Sequence, residues 1–295
     1  MSGSVLFDVP GPRARIRNWV ITIVTVVVTL LVLWVVFQKL DAKDQLDAEK
    51  WKPFLTVNLW KTYMWPGIKG TLTAAAVSIV LALALGLLLG VGRLSHTAPI
   101  RWACTFVVEF FRALPVLVMM IFAYFLYAQE DVFPSKHLAL AGVITGLTLY
   151  NGAVIAEIVR AGVNALPRGQ GEAASALGMT WGQTMRAILL PQAITSMLPV
   201  LISQLVVVLK DSSIGFVITF VEVVRQGLTV GSAYSNYLPA LIVVAILMIT
   251  VNFALSHFAT WIEGRMRRSS RGPAPMHADE PVSQGAFGAG AGGTI

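Results

Sequence analysis

The sequence predicts an all-α integral membrane protein, and three features of its composition support this fold class. Of its 295 residues, 56% are hydrophobic and only 13% are charged, whereas a soluble domain carries about 25% charged residues. The mean hydropathy is +0.73, which leaves too few polar side chains to cover a soluble core of this size. The apolar residues also lie in uncharged blocks of the length that a membrane-crossing helix needs.

Six membrane spans are predicted, at about 20 residues for each crossing. They are residues 18–38, 70–92, 102–127, 138–156, 192–209 and 237–262. The first is interpreted as an accessory helix, because it is too long for a signal peptide and no small-residue cleavage site follows it. The apolar stretch 212–221 is too short to cross and is predicted to be re-entrant or interfacial.

The distribution of basic residues predicts that both termini lie in the cytoplasm of a multi-pass cell-membrane protein. In that orientation 12 lysines and arginines lie inside and nine outside, as expected for cytoplasmic loops. The predicted divisions are a cytoplasmic N-terminal tail (1–17), the accessory transmembrane helix (18–38), an outer loop (39–69), the core (70–265) and a cytoplasmic tail (266–295). The last is rich in Gly, Pro, Ala and Ser and is expected to be disordered.

The sequence lacks the motifs of metal-binding proteins, P-loop ATPases, other enzymes and nucleic-acid-binding proteins. The single cysteine, Cys104, and four scattered histidines have no metal-ligand spacing, so no metal site is predicted. The sequence contains no Gly-x-x-x-x-Gly-Lys-Ser/Thr loop and no catalytic constellation, so we expect neither ATP hydrolysis by this chain nor catalytic residues. Arginines beside the spans explain the net charge of +7, and no nucleic-acid partner is expected.

The largest inner loop, residues 157–191, is predicted to fold as two helices joined by a glycine turn. Pro167 can open the first helix, where its missing N–H costs nothing. Gly178 can end that helix in the left-handed conformation that glycine adopts easily. Thr180 and Gln183 have the spacing of a capping box for the second helix, and the last proline of the loop is expected to end it.

The first of these helices presents small side chains and one carboxylate to the cytoplasm. Glu172, Ala173 and Ala174 would let a partner approach closely and offer it a charge-assisted hydrogen bond, which favours a docking surface for another protein. A plain amphipathic helix lying on the membrane face fits the same pattern. The residues by themselves leave these two interpretations open.

A set of seven positions with fixed spacing favours docking. They are Glu172, Ala173, Ala174, Gly178, Ile188, Leu190 and Pro191. Together they match the EAA motif of permease subunits of ABC importers, so the chain resembles that family. The resemblance implies a type I ABC importer permease fold, with a five-helix core plus one extra N-terminal transmembrane helix. It also implies that the loop couples the permease to a separate ATP-hydrolysing subunit.

Further residues resemble the branch of this family that transports polar amino acids of the His/Glu/Gln/Arg type. Three stretches carry the similarity, 110–115, 150–170 and 210–214. In the first of them, Ala113 and Leu114 stand where the family usually has Gly-Thr before the proline, and this departure affects the local packing. The similarity points most directly to glutamate-uptake permeases of high-GC Gram-positive bacteria.

The resemblance also implies which partners the chain has. They are a dimer of ABC ATPase subunits, a second permease subunit, an extracytoplasmic solute-binding protein, an amino-acid substrate and the lipid bilayer. For glutamate-type systems the resemblance favours a heterodimer of permeases over a homodimer. No cofactor is expected in this chain, because ATP is used by the partner subunit.

Charged and polar side chains at membrane depth are candidates for the substrate path, because such residues are costly there and usually face a cavity or a partner. The candidates are Glu109, Arg112, Lys210, Asp211, Ser212 and Ser213. Glu109 and Arg112 can line the path or form an ion pair that holds two helices, and the ion pair is favoured. Lys210 and Asp211 can meet the substrate at the outer end of the fifth span or simply anchor that end.

Two further acidic–basic pairs have the i, i+3 spacing that places both side chains on one face of a helix. Glu157 and Arg160 are interpreted as an interfacial pair near the 157–191 loop rather than as substrate ligands. Glu222 and Arg225 are interpreted as a solvated pair in an outer segment.

The second span contains a Gly-x-x-x-Gly spacing, formed by Gly86 and Gly90. Such a spacing favours close contact between two membrane helices. It is interpreted as part of an interface between two permease subunits.

Three alternatives to an importer permease remain open from the sequence. A secondary transporter or channel for a small polar solute would explain the spans and the charges in them, but not an ordered EAA loop. A membrane-embedded enzyme would need paired catalytic groups at one membrane face, and none stand out. An importer for another small polar solute would differ from the favoured interpretation in its substrate alone.

Overall fold

The computed structural model describes residues 11–270, with side chains up to residue 265, and this part of the chain is helical almost throughout, without a strand. Its α-helices are α1 (Pro12–Asp41), α2 (Ala48–Trp51), α3 (Val57–Leu59), α4 (Trp65–Arg93), α5 (Ala98–Ala113), α6 (Val116–Gln129), α7 (Ser135–Asn164), α8 (Gly169–Ala176), α9 (Trp181–Thr184), α10 (Leu190–Asp211), α11 (Val223–Ala233) and α12 (Tyr237–Ser270). Among the described residues, five helices are long and apolar enough to cross a membrane, or six if α5 and α6 form one bent span.

The two ends of the helical core carry different connections. We call the end where residues 165–189 join α7 to α10 the loop end, and the opposite end the far end. The far end carries the turns before α4 and the segment 212–236, which contains the 3-10 helix Ser212–Ile218 and α11. The short stretch predicted to be re-entrant or interfacial is therefore mainly a 3-10 helix at the far end.

The core is built around α4 and α7, which lie side by side because α4 presents small residues to its neighbour. A Cβ atom added to Gly86 would lie 2.6 Å from Ile155 Cβ, and one added to Gly90 would lie 2.9 Å from Val159 Cβ. Glycine at these positions lets the two backbones approach closely. The assignment of this Gly-x-x-x-Gly spacing to a dimer interface is therefore wrong, because α7 of the same chain occupies that face.

The third predicted span is broken into α5 and α6, whose axes differ by 101°. The break lies at Leu114, whose φ of −87° and ψ of 134° are extended. Proline disfavours a helical conformation in the residue before it, so Pro115 explains the position of the break. As a result α6 packs along α7. α5 turns away and packs through the buried Val108 against the loop ends of α4 and α7.

The stretch predicted as an outer loop (39–69) contains helical segments, and the first core helix begins earlier than the sequence indicates. α3, the π turn Trp60–Met64 and α4 form one helical stretch, Val57–Arg93, of 37 residues. Lysines at positions 61 and 69 interrupt the apolar pattern of this stretch, so hydropathy alone places the start of the span too late.

The segment between α1 and α3 is attached to the far end of the core. Asn236 Nδ2 donates a hydrogen bond to the carbonyl oxygen of Lys50 at 2.9 Å. Phe54 is buried in a cluster with Val230 and Ala240. α1 itself has no buried residue, so its connection to the core is made by this segment rather than by side-by-side packing.

Both ends of the chain lie partly outside the described residues. The predicted N-terminal tail (1–17) overlaps α1, which begins at Pro12, and its first ten residues are not described. The predicted disordered tail (266–295) overlaps the end of α12, and residues 271–295 are outside the described part.

Replacing Gly86 with leucine should separate α4 from α7, because the new side chain would overlap Ile155. Overpacking of this kind costs about 1–3 kcal/mol, so we expect a lower midpoint of thermal unfolding in detergent. Ala84→Leu is the matched control, since Ala84 lies on the exposed face of the same helix. Equal unfolding midpoints for the two variants would contradict the assigned role of Gly86.

Candidate functional site

The segment between α7 and α10 has the predicted form of helix, glycine turn and helix. Gly178 has a φ of +74°, which L-residues with a side chain adopt at a cost. Thr180 and Gln183 form the predicted capping box, in which Gln183 Oε1 accepts a hydrogen bond from the backbone N–H of Thr180 at 2.8 Å. α8 begins at Gly169, two residues after Pro167, so the proline precedes the helix rather than opening it.

The sequence predicts that the second helix of this loop ends at the last proline. In the structure it continues beyond that proline. α9 passes through the π turn Met185–Leu189 into α10, and Pro191 lies in the first turn of α10. The altered register of a π turn leaves backbone groups without their usual partners. Pro191, which has no backbone N–H, therefore lies directly after a point where the regular α-helical hydrogen bonding is already interrupted.

Some of the seven residues of the EAA motif are exposed on the loop, and the others are partly or fully buried. Glu172, Ala173, Gly178 and Pro191 are exposed, Ile188 and Leu190 are partly buried, and Ala174 is 1% exposed. The most exposed apolar side chain of the loop is Leu177, at 81%, next to the glycine turn. Sequence analysis missed Leu177, because a leucine beside a helix end usually covers that end.

The loop rests on the connection between α4 and α5. His96 of this connection meets the ring of Trp181 edge-on, with 5.8 Å between the ring centroids. A cavity of about 920 Å³ opens beside them, and Arg168 and Glu172 also line it. The exposed face of the loop therefore has a fixed position relative to the loop ends of the core helices.

A network of five charged side chains joins α4, α5 and α7 near the loop end. Its members are Arg93, Glu109, Arg112, Glu157 and Arg160. Arg93 Nη1 donates to Glu157 Oε2 at 2.6 Å, and Arg93 Nη2 donates to Glu109 Oε1 at 3.0 Å. The side chain of Arg93 is 6% exposed, so this buried cation links the two pairs that the sequence treats separately. Arg93 itself was missed, because it resembles an ordinary arginine that flanks a span.

Arg112 is a partly exposed member of this network with unused hydrogen-bonding capacity, whereas the unpartnered Nε of Arg93 is buried. Arg112 Nη1 lies 3.6 Å from Glu109 Oε1 and 3.7 Å from Glu157 Oε2, beyond hydrogen-bond distance. Within the described residues it makes no side-chain hydrogen bond. Its guanidinium lines a cavity of about 400 Å³ together with Glu109, Glu157 and Tyr150.

The other candidates for a substrate path lie away from this cavity, at the far end of α10. Lys210 is exposed and Asp211 is partly buried. Ser212 donates a hydrogen bond to the carbonyl oxygen of Leu209, and Ser213 Oγ lies 3.7 Å from the sulfur of Met248. The structure therefore places Glu109 and Arg112 together near the loop end. It places the other four candidates together at the far end.

Glu222 is not the solvated partner of Arg225 that the sequence predicts. Its side chain has no exposed surface and caps α11 by accepting hydrogen bonds from the backbone N–H groups of Val224 and Arg225. Burial raises the pKa of Glu222 to about 7, although these two hydrogen bonds act in the opposite direction. Spacing alone cannot distinguish a cap from an ion pair.

Comparison with known proteins identifies the class to which this fold and loop belong. The family described as "binding-protein-dependent transport system inner membrane component" matches residues 82–268. This range is more than half of the chain and contains the entire EAA motif. The chain therefore belongs to that family, and it is a multi-pass membrane protein with the fold of an ABC importer permease.

Several individual members of this family are similar to the chain over most of its length. The chain is 50% identical over 246 residues to the glutamate transport system permease protein GluD of Corynebacterium glutamicum, covering 82% of this chain and 90% of that protein. It is 31% identical over 205 residues to the arginine transport system permease protein ArtQ of Bacillus subtilis, covering 70% and 93%. A crystal structure of an amino acid ABC transporter superposes with a TM-score of 0.64 at 30% identity, covering 72% of this chain and 98% of that one.

Glu222 should make the stability of the protein depend on pH. The pKa of Glu222, about 7, is above the usual value for a glutamate. Its contribution to the free energy of unfolding is therefore fully present below about pH 4.5 and is lost as the pH rises through 7. The free energy of unfolding falls by about 3 kcal/mol over this pH range. We expect wild type to unfold at a lower temperature at pH 8 than at pH 5.

Glu222→Gln should remove this part of the pH dependence, because the amide does not ionise. Only one of the two backbone hydrogen bonds keeps its acceptor atom, since the NH2 group of glutamine replaces one carboxylate oxygen and cannot accept. Glu130→Gln, at an exposed acid, serves as the control and should retain it. Identical pH profiles of the unfolding midpoint for wild type and Glu222→Gln would refute the assignment.

Proposed function

We propose that this chain is the membrane-spanning permease subunit of an ATP-driven importer of amino acids, with glutamate or a related polar amino acid as its substrate. The observation that carries the proposal is the EAA loop, an ordered and exposed element whose seven motif residues all match. The 50% identity to a glutamate transport permease supports the choice of substrate. Both termini and the loop end then face the cytoplasm, in agreement with the distribution of arginine.

The chain works in this proposal with an ATPase that is a separate polypeptide. It carries no ATP site and no other cofactor of its own, and the ATP is bound and hydrolysed by a dimer of ABC ATPase subunits. The loop offers this partner an exposed apolar side chain, Leu177, which lines one cavity with Arg186, and the exposed carboxylate of Glu172 on the same loop. An apolar centre with charged groups around it is the usual composition of a docking surface.

The remaining partners complete a translocation path in which this chain forms one half. A second permease subunit supplies the other half, as a heterodimer rather than a homodimer, and an extracytoplasmic solute-binding protein delivers the amino acid. Closure of the ATPase dimer draws the two EAA loops together and opens the path outward. Hydrolysis reverses this change and releases the amino acid inside.

The substrate path passes, in this proposal, through the two groups of polar residues. Lys210, Asp211, Ser212 and Ser213 lie where the amino acid enters from the binding protein. Near the cytoplasmic end, the guanidinium of Arg112 can bind a carboxylate in bidentate fashion. Glu109 in the same cavity can bind the α-ammonium group. A cavity of about 400 Å³ provides room for one amino acid.

Changes in the EAA loop should weaken the binding of the ATPase. Gly178→Val forces a β-branched residue to a φ of +74°, a strain of about 1–2 kcal/mol that reduces docking roughly tenfold. Glu172→Lys reverses the charge at the one acidic position of the motif and should have a similar effect. The measurement is retention of the purified ATPase by the detergent-solubilised, immobilised permease.

Gly182→Val provides a matched control for this experiment. Gly182 lies in the same loop with open space around it and without a positive φ, so its replacement should leave ATPase retention close to that of wild type. If wild type never retains an ATPase, the importer function is refuted, and a secondary transporter or channel becomes the better interpretation.

Removing the charge of Arg112 should impair glutamate uptake. In proteoliposomes that contain the complete complex, Arg112→Gln should reduce glutamate transport by roughly tenfold or more, because a charge-assisted bond to the substrate carboxylate is lost. Arg101→Gln is the control, since Arg101 lies on the same helix and donates to the carbonyl oxygen of Ser95 instead. Equal uptake by both variants would remove Arg112 from the substrate path.

A further inference from the structure

α10 continues the helix that begins in the EAA loop. The helical stretch Trp181–Ile218 is unbroken, but the half next to the loop contains the π turn Met185–Leu189 and two prolines, Pro191 and Pro199. Pro199 removes a backbone hydrogen bond from the interior of the helix. A displacement of the loop therefore acts directly on α10, and the segment beside the loop is the part that can bend.

One hydrogen bond ties α10 to the centre of the core. Gln204 Nε2 donates to Asn151 Oδ1 of α7 at 2.7 Å. Asn151 has no exposed surface, and its Nδ2 donates to the carbonyl oxygen of Leu147 at 2.9 Å. Between residues 11 and 265, no other side-chain hydrogen bond joins Leu190–Asp211 to another membrane-crossing helix. In the 3-10 helix that follows, Ser213 Oγ makes a contact of 3.7 Å with the sulfur of Met248 in α12, and a thioether sulfur is a weak acceptor.

The remaining contacts between α10 and α7 are apolar and lack a directional bond. Gly162 of α7 faces Met197 and Ala193, and Leu201 packs in a cluster with Ile155. Packed helices with such contacts can shift against each other by small sliding movements. A hydrogen bond weakens steeply when its distance or angle changes. The amide pair therefore fixes one point of α10 while the apolar contacts allow the rest to move.

We propose that the hydrogen bond between Gln204 and Asn151 is the fulcrum about which α10 pivots when the ATPase moves the EAA loop, an inference that rests on the proposed importer function. Gln204 lies 14 residues after Leu190 and 14 residues before Ile218. At about 1.5 Å per α-helical and 2.0 Å per 3-10 residue, the two arms are each about 20–25 Å long. A displacement on the cytoplasmic side thus reaches the 3-10 helix Ser212–Ile218 in the opposite direction, and bending at the π turn and at Pro199 reduces its size.

α7 is suited to hold the fulcrum because it is tied to its neighbours at two other levels. Tyr127 and Thr145 join it to α6 by a hydrogen bond of 2.9 Å. Arg93 joins it to α4 through Glu157. These ties lie on either side of Asn151 along α7, so the residue that receives the bond from Gln204 belongs to the part of the core that stays in place.

The first test measures glutamate transported per ATP hydrolysed in proteoliposomes that contain the complete importer. Gln204→Leu keeps the approximate volume of the side chain and removes the hydrogen bond, so the ratio should fall roughly fivefold or more while ATP hydrolysis continues. Ser203→Ala, which loses only a bond to the carbonyl oxygen of Pro199, should keep the ratio of wild type. The exchange Asn151→Gln with Gln204→Asn restores an amide pair and should recover much of the lost coupling.

The second test follows the movement itself and needs no transport. In a Cys104→Ser background, one pair of spin labels at Gln192 and Leu88 reports the cytoplasmic arm, and another at Val217 and Lys136 reports the outer arm. On addition of ATP to the complete complex with its ATPase, both distances should change in wild type, whereas only the first should change in Gln204→Leu.

The outcomes separate this inference from the function on which it rests. An unchanged transport ratio in Gln204→Leu, or an outer distance that still responds to ATP in that variant, would overturn the fulcrum. If wild type neither hydrolyses ATP with its partner nor takes up any amino acid, and neither distance responds, the proposed function itself is refuted.

Discussion

The close approach of α4 and α7 is the contact on which the rest of this structure depends. Small residues follow one another at intervals of four along α4, from Ala74 through Ala82 and Gly86 to Gly90, and α7 lies in the groove that they leave. In a bilayer, apolar side chains gain little by leaving lipid, so helices associate through close packing and hydrogen bonds. The small-residue face therefore determines which helix becomes the neighbour of α4.

Once α7 is fixed in this way, the polar side chains along it determine where the other helices attach. Thr145 binds α6, Asn151 binds α10, and Glu157 binds α4 through Arg93. Asn151 has no exposed surface, so water cannot replace its lost partner and a mismatch there would be costly. The same positions thus determine which helices are joined to α7 by polar side chains. The charged residues at the loop end are part of this arrangement and at the same time line a cavity.

Two local features connect the charged network and the EAA loop to the membrane-crossing helices. Pro115 breaks the third span and turns α5 across the loop ends of α4 and α7, where it brings Glu109 and Arg112 to the charged network. The π turn before α10 joins the EAA loop to a membrane helix without an interruption. The loop is therefore continuous with a membrane-crossing helix, which the proposed coupling role requires.

The sequence by itself determined the helical class, the approximate spans, the EAA loop and its caps. These features depend on hydropathy, on the φ that Gly178 allows, and on the Thr180–Gln183 spacing, all of which are local. Only the tertiary structure decided that Gly86 faces α7 rather than another subunit, that Glu222 is a buried cap, and that Arg93 joins Glu109 to Glu157. Which side chains meet across helices depends on the rotation and depth of each helix, and periodicity in one segment carries no information about its neighbour.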